Sequence, residues 1–127
     1  MTLAYWSILV AGLLPAATIA IAKFGAKDFD NAAPRDWLDK QQGMRGRADA
    51  AHRNHFEAFP FFAAGILVAE LCHVPQDRVD TLAAAFIVLR VIYTGLYLAN
   101  LATLRSLCWA LGYLCVIALF VLSGLQG

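Results

Sequence analysis

The chain has 127 residues, of which 61% are apolar and only 15% charged. Soluble domains average about 45–50% apolar and about 25% charged, and a fold this small leaves much of its surface in water. The composition therefore excludes an ordinary soluble globular domain and a disordered chain. It fits an all-α integral membrane protein with residues 1–127 as a single membrane domain.

The net charge of +1 argues against nucleic acid as a main partner. Cys72, Cys108 and Cys115 form no disulfide pattern and no metal-ligand spacing, and they read as small buried apolar residues. Four apolar segments follow in chain order, expected as helices over roughly 3–24, 45–73, 79–102 and 105–125. The first carries no charge before Lys23, and its 22 residues reach ~33 Å as a helix. No Lys or Arg precedes it, so it reads as a retained membrane helix with Pro15 as a kink. Gly25 to Gly43 is polar and is expected to be the one real loop. The apolar stretch Ala58–Leu71 is short for a span and reaches full length only if its helix starts near Met44 or Arg45. The third segment carries one charge, Arg90, and the fourth none. The short connections between segments make consecutive helices antiparallel neighbours.

Lys23, Lys27, Arg35, Lys40, Arg45 and Arg47 gather around the first connection and Arg105 lies at the third, whereas the second holds only Arg78. The first and third connections are therefore expected on the cytoplasmic side, with both termini opposite.

Ionisable residues at membrane depth face a bundle interior or a wet cavity. On a helix Arg47, Asn54, Glu57 and Phe61 fall within roughly 80° of one another. Arg53 stands four residues before Glu57 and can pair with it. Such a face suits a zwitterion, with Glu57 taking an ammonium and arginines taking carboxylates. The competing reading is helix packing, or headgroup snorkelling for Arg45 and Arg47. Arg90, Tyr93, Tyr97 and Leu101 form one stripe of the third segment. Tyr97 alone could belong to an interfacial aromatic belt. Arg90 needs a buried partner, for which Glu57 is the expected one; that pair would be structural or ligand-binding. Arg105 reads either as a topology anchor or as a cation that stabilises an anion such as a thiolate.

The set Arg47, Asn54, Glu57 and Pro60 in four short membrane helices resembles the MAPEG family, the membrane-associated proteins in eicosanoid and glutathione metabolism. His52-Arg53-Asn54 followed by Glu57 is similar to its microsomal glutathione transferase and prostaglandin E synthase branch. Arg90, Tyr93 and Tyr97 look like the arginine–tyrosine stripe of leukotriene C4 synthase, and Arg105-Ser106 resembles the pair beside the glutathione sulfur. The resemblance implies a four-helix bundle assembled as a homotrimer, with glutathione between subunits on the cytoplasmic side. It implies that Asn54 and Glu57 hold the γ-glutamyl part, that Tyr93 and Tyr97 contact the tripeptide backbone and its carboxylates, and that Arg105 stabilises the thiolate. Arg90 would pair inside the site wall. The chain departs from the family in carrying Ala50 where an arginine is common, so Arg47 or Arg53 would have to supply that carboxylate contact. The Arg90-to-Arg105 spacing also differs slightly from that of close relatives.

The expected activity is that of a glutathione-dependent transferase or peroxidase acting on lipophilic electrophiles that enter from the bilayer. A non-catalytic scaffold that binds lipid or glutathione is the alternative, favoured by Ala50. A small drug/proton antiporter would need a carboxylate in the first segment, and Leu3–Ala22 has none.

Overall fold

A computed structural model describes residues 1–127 as five helices: α1 (Leu3–Lys23), α2 (Pro34–Asp39), α3 (Gly43–Leu71), α4 (Gln76–Leu98) and α5 (Ala102–Gln126). Of these, α1, α4 and α5 are long and apolar enough to cross a membrane. The 29-residue α3 is longer, but Arg45, Arg47, Asp49, Arg53 and Glu57 make its first half polar. Leucines and valines such as Leu13, Val88, Val91, Leu107 and Leu114 point outward and stay exposed, as lipid-facing positions do.

The four long helices form a bundle in which α1 packs on α3 and α4, α5 packs on the same two, and α3 meets α4 across the middle. On α1 the buried residues are Ala4, Ser7, Ala11, Pro15, Thr18 and Ala22, spaced three or four apart. In lipid there is little hydrophobic drive between helices, so a stripe of small residues that lets backbones approach closely is what holds α1 in place. The helix runs unbroken through Pro15. The centre is filled by Phe62 of α3 stacked on Phe86 of α4, with ring centroids 4.0 Å apart. Gly65 lets α5 close in, because a Cβ there would lie 3.2 Å from Cγ1 of Val116.

The helix ends are capped across the bundle. α4 stops in a Schellman turn: Asn100 has φ 61°, and the Leu101 amide donates to the Leu96 carbonyl. The carbonyl of Leu98 that this turn leaves over accepts from Nε and Nη2 of Arg47. Arg45 Nη1 likewise donates to the Ala22 carbonyl at the end of α1. At the opposite end Asp80 Oδ1 accepts from the Ala4 amide at the start of α1.

Two sequence expectations are corrected here. Residues 25–43 are not all loop, since Pro34–Asp39 form the short helix α2. Pro34 sits at its first position, where a missing N–H costs nothing. Trp37 and Leu38 are buried against Ala22 of α1 and Ala48 of α3, which wedges α2 between the two helices. The connection before α5 is also shifted, to residues 99–101. Arg105 therefore lies in the first turn of α5 rather than at the boundary.

Candidate functional site

The polar stripes of α3 and α4 meet where these helices cross. Arg90 is 3% exposed, and its Nε and Nη2 donate to Nδ1 of His55, at 3.2 and 2.8 Å. His55 is equally buried, and its Nε2 lies 2.9 Å from Oγ1 of Thr94. The Thr94 hydroxyl donates to the Arg90 carbonyl. The guanidinium of Arg90 also lies over the Tyr93 ring, 4.3 Å from its centroid.

A cleft of about 220 Å³ opens beside this cluster, between α3, α4 and α5. Asn54, Glu57 and Arg90 are its polar walls, and Phe61, Phe86, Trp109 and Tyr113 are its aromatic ones. Glu57 is exposed, and no cation lies within ion-pair distance of it. Oδ1 of Asn54 is buried without a hydrogen-bond partner, an acceptor available to a ligand. Tyr93, Tyr97, Arg105, Ser106 and Trp109 line a second cleft of about 190 Å³. Arg105 lies over the Tyr97 ring at 4.3 Å, and the Tyr93 and Tyr97 rings meet edge to face. Trp109 walls both clefts, so the two are adjacent. No group of His, Cys, Asp or Glu side chains is arranged to hold a metal ion.

Of the residues singled out in the sequence, Asn54, Glu57 and Arg90 thus share one cleft, and Tyr93, Tyr97 and Arg105 share the other. Two expected pairings do not form. The buried partner of Arg90 is His55 rather than Glu57, because His55 faces α4 from the core of α3 whereas Glu57 points into the open cleft. Arg53 turns from Glu57 to Asp39 of α2 and Asp49, where two carboxylates compete against one. Arg47 is occupied by Leu98.

Sequence reasoning passed over His55, Trp109 and Tyr113 as site residues. His55 falls on the buried stripe Ala48, Ala51, Phe62, Ile66 and Ala69 of α3, so helical periodicity marks it as core-facing. Trp109 and Tyr113 follow Arg105 at intervals of four on α5 and stack on each other.

The model of the MAPEG family matches residues 3–125, nearly the whole chain. The chain belongs to the MAPEG family. This MAPEG protein is an integral membrane protein in contact with lipid, and its helical bundle is consistent with that family. The family includes glutathione transferases and related enzymes, so membership is consistent with a glutathione-related activity. No curated protein and no solved structure matches the chain.

Proposed function

We propose that this protein is a glutathione-dependent membrane transferase or peroxidase that conjugates or reduces lipophilic electrophiles. The observation that carries the reading is the Arg105 guanidinium, half-buried over Tyr97 and walling a cleft with Tyr93, Ser106 and Trp109. When bound, glutathione supplies a nucleophilic thiol. Arg105 holds that sulfur as a thiolate, because a fixed cation beside a thiol favours its charged form. The first turn of α5 adds the positive end of its helix dipole. Glu57 and Asn54 take the γ-glutamyl ammonium, which their unpartnered oxygens suit. Tyr93 and Tyr97 contact the peptide, and Arg90 stiffens the wall behind them. Arg47 and Arg53 can meet a ligand carboxylate only by leaving Leu98 and the aspartates. The aromatic walls admit an apolar co-substrate from the bilayer.

The clefts are open at the side of one subunit, which favours a homotrimer in which a neighbour closes them. The basic first connection favours a cytoplasmic position for the site, with both termini on the other side. A non-catalytic lipid- or glutathione-binding scaffold is the second reading. Ala50 favours it, as does the engagement of Arg47 and Arg53 elsewhere.

The test is a thiolate titration of the protein in detergent by ultraviolet absorbance, with glutathione and a chlorodinitrobenzene-type electrophile. A thiolate at neutral pH that disappears in Arg105→Ala supports the enzyme. Bound glutathione that remains a thiol, without turnover of electrophiles or hydroperoxides, leaves the scaffold.

A further inference from the structure

Arg90 is buried at 3% exposure without a carboxylate partner. Charged side chains are rarely so buried unless an opposite charge pairs with them. Here the partner is an imidazole. A guanidinium only donates, so Nδ1 of His55 must be the unprotonated nitrogen that accepts from Nε and Nη2. The imidazole is then neutral, its proton sits on Nε2, and Nε2 donates to Thr94 Oγ1. Thr94 closes the ring by donating to the Arg90 carbonyl. The circuit fixes the direction of the guanidinium and supplies no countercharge; the charge of Glu57 reaches it only from beyond ion-pair distance. Two of the five N–H groups of an arginine go to His55 and the rest have no partner, while Arg90 lines the cleft.

Glu57, which has no ion pair, and the unpartnered Oδ1 of Asn54 line the same cleft. The cleft thus holds one cation and one anion that do not form an ion pair with each other. That arrangement suits a group carrying an ammonium and a carboxylate on one carbon.

We propose that His55 is a positioning residue that keeps the charge of Arg90 free to bind the α-carboxylate of a γ-glutamyl ligand whose ammonium meets Glu57. The inference rests on the glutathione reading above. It gives Arg90 direct ligand contact, beyond a place in the wall, and explains why a neutral acceptor stands where a carboxylate would be the stronger partner. An aspartate at position 55 would orient Arg90 equally well and cancel the charge the ligand needs.

Asparagine and aspartate carry Oδ1 on Cγ, where histidine carries Nδ1, so His55→Asn and His55→Asp differ in charge but not in reach. Both lose the bond to Thr94. Each is titrated calorimetrically, as purified full-length protein in detergent, with glutathione and with 4-aminobutyryl-cysteinyl-glycine, the same peptide without the α-carboxylate. The wild type and His55→Asn are expected to prefer glutathione about tenfold, the range of a hydrogen bond to a charged group. His55→Asp is expected to bind glutathione about tenfold more weakly than His55→Asn and to lose the preference, while melting no lower. A purely structural role would weaken both peptides alike. If His55→Asp does not fold, Arg90→Gln removes the same charge and should lose the same preference. Equal preference in the neutral and charged variants, or none in the wild type, overturns the inference. Failure of the wild type to bind glutathione at all overturns the functional reading and the inference with it.

Discussion

The Arg47 guanidinium donates from Nε and Nη2 to the carbonyl oxygen of Leu98, at 3.2 and 3.0 Å, and so ties the polar half of α3 to the last turn of α4. The Schellman turn at Asn100 satisfies the Leu96 and Tyr97 carbonyls and leaves that of Leu98 to find a donor elsewhere. Arg47→Met should therefore lower stability by about 1.5–3 kcal/mol, the worth of hydrogen bonds to a charged group. Thermal melting in detergent measures it. An unchanged melting temperature with weakened glutathione binding would show that Arg47 serves the ligand instead.

At the other end of the bundle Asp80 caps α1 from α4, accepting from the Ala4 amide at 3.0 Å. Asp80→Ala should cost about 1 kcal/mol, as the loss of an N-terminal cap does. Asp80→Asn keeps an acceptor oxygen in place and should cost less. Comparing the melting temperatures of the two variants separates the cap from the charge.

Gly65 faces α5 on the buried side of α3, where a Cβ would lie 3.2 Å from Val116 and 3.4 Å from Leu119. An added methyl requires those side chains to yield, and a branched residue requires the helices to part. Gly65→Val is expected to destabilise by about 1–3 kcal/mol through overpacking, and Gly65→Ala by less. A melting temperature for Gly65→Val equal to the wild type would mean that α5 is free to move away.

Tyr97 presents its ring face to Arg105 at 4.3 Å. That contact is worth about 0.5–2 kcal/mol in a partly desolvated place. Tyr97→Leu removes it, so Arg105 should hold a bound thiolate less well and the thiolate should form only at higher pH. Tyr97→Phe keeps the face and should shift the titration less. The order is read from thiolate absorbance against pH, and the reverse order would assign the work of Tyr97 to its hydroxyl.

Much of the architecture was legible in the residues because apolar runs of helix length and few charges admit few solutions in lipid. The four long helices fall close to the four apolar segments, and the polar start of the second was visible from Arg45 to Glu57. The helix α2 was hidden because Trp37 and Leu38 are two apolar residues in a polar stretch, too few to show a period. Their anchorage depends on Ala22 and Ala48, distant in sequence.

The candidate site divides in the same way. Side chains that share a helix face, such as Asn54 with Glu57 or Tyr93 with Tyr97, could be grouped from helical spacing alone, because that spacing is set by local backbone geometry. Partners across helices could not. Glu57 was the natural match for Arg90 by charge, yet His55 holds it; Arg53 chose Asp39 and Asp49 over the glutamate one turn on. Composition and periodicity determine that this is a membrane bundle with a few charges at depth. Which of those charges meet, and which stay unpaired, is decided only when helix packing sets the distances between side chains far apart in the chain, since Coulomb and hydrogen-bond energies depend on those distances.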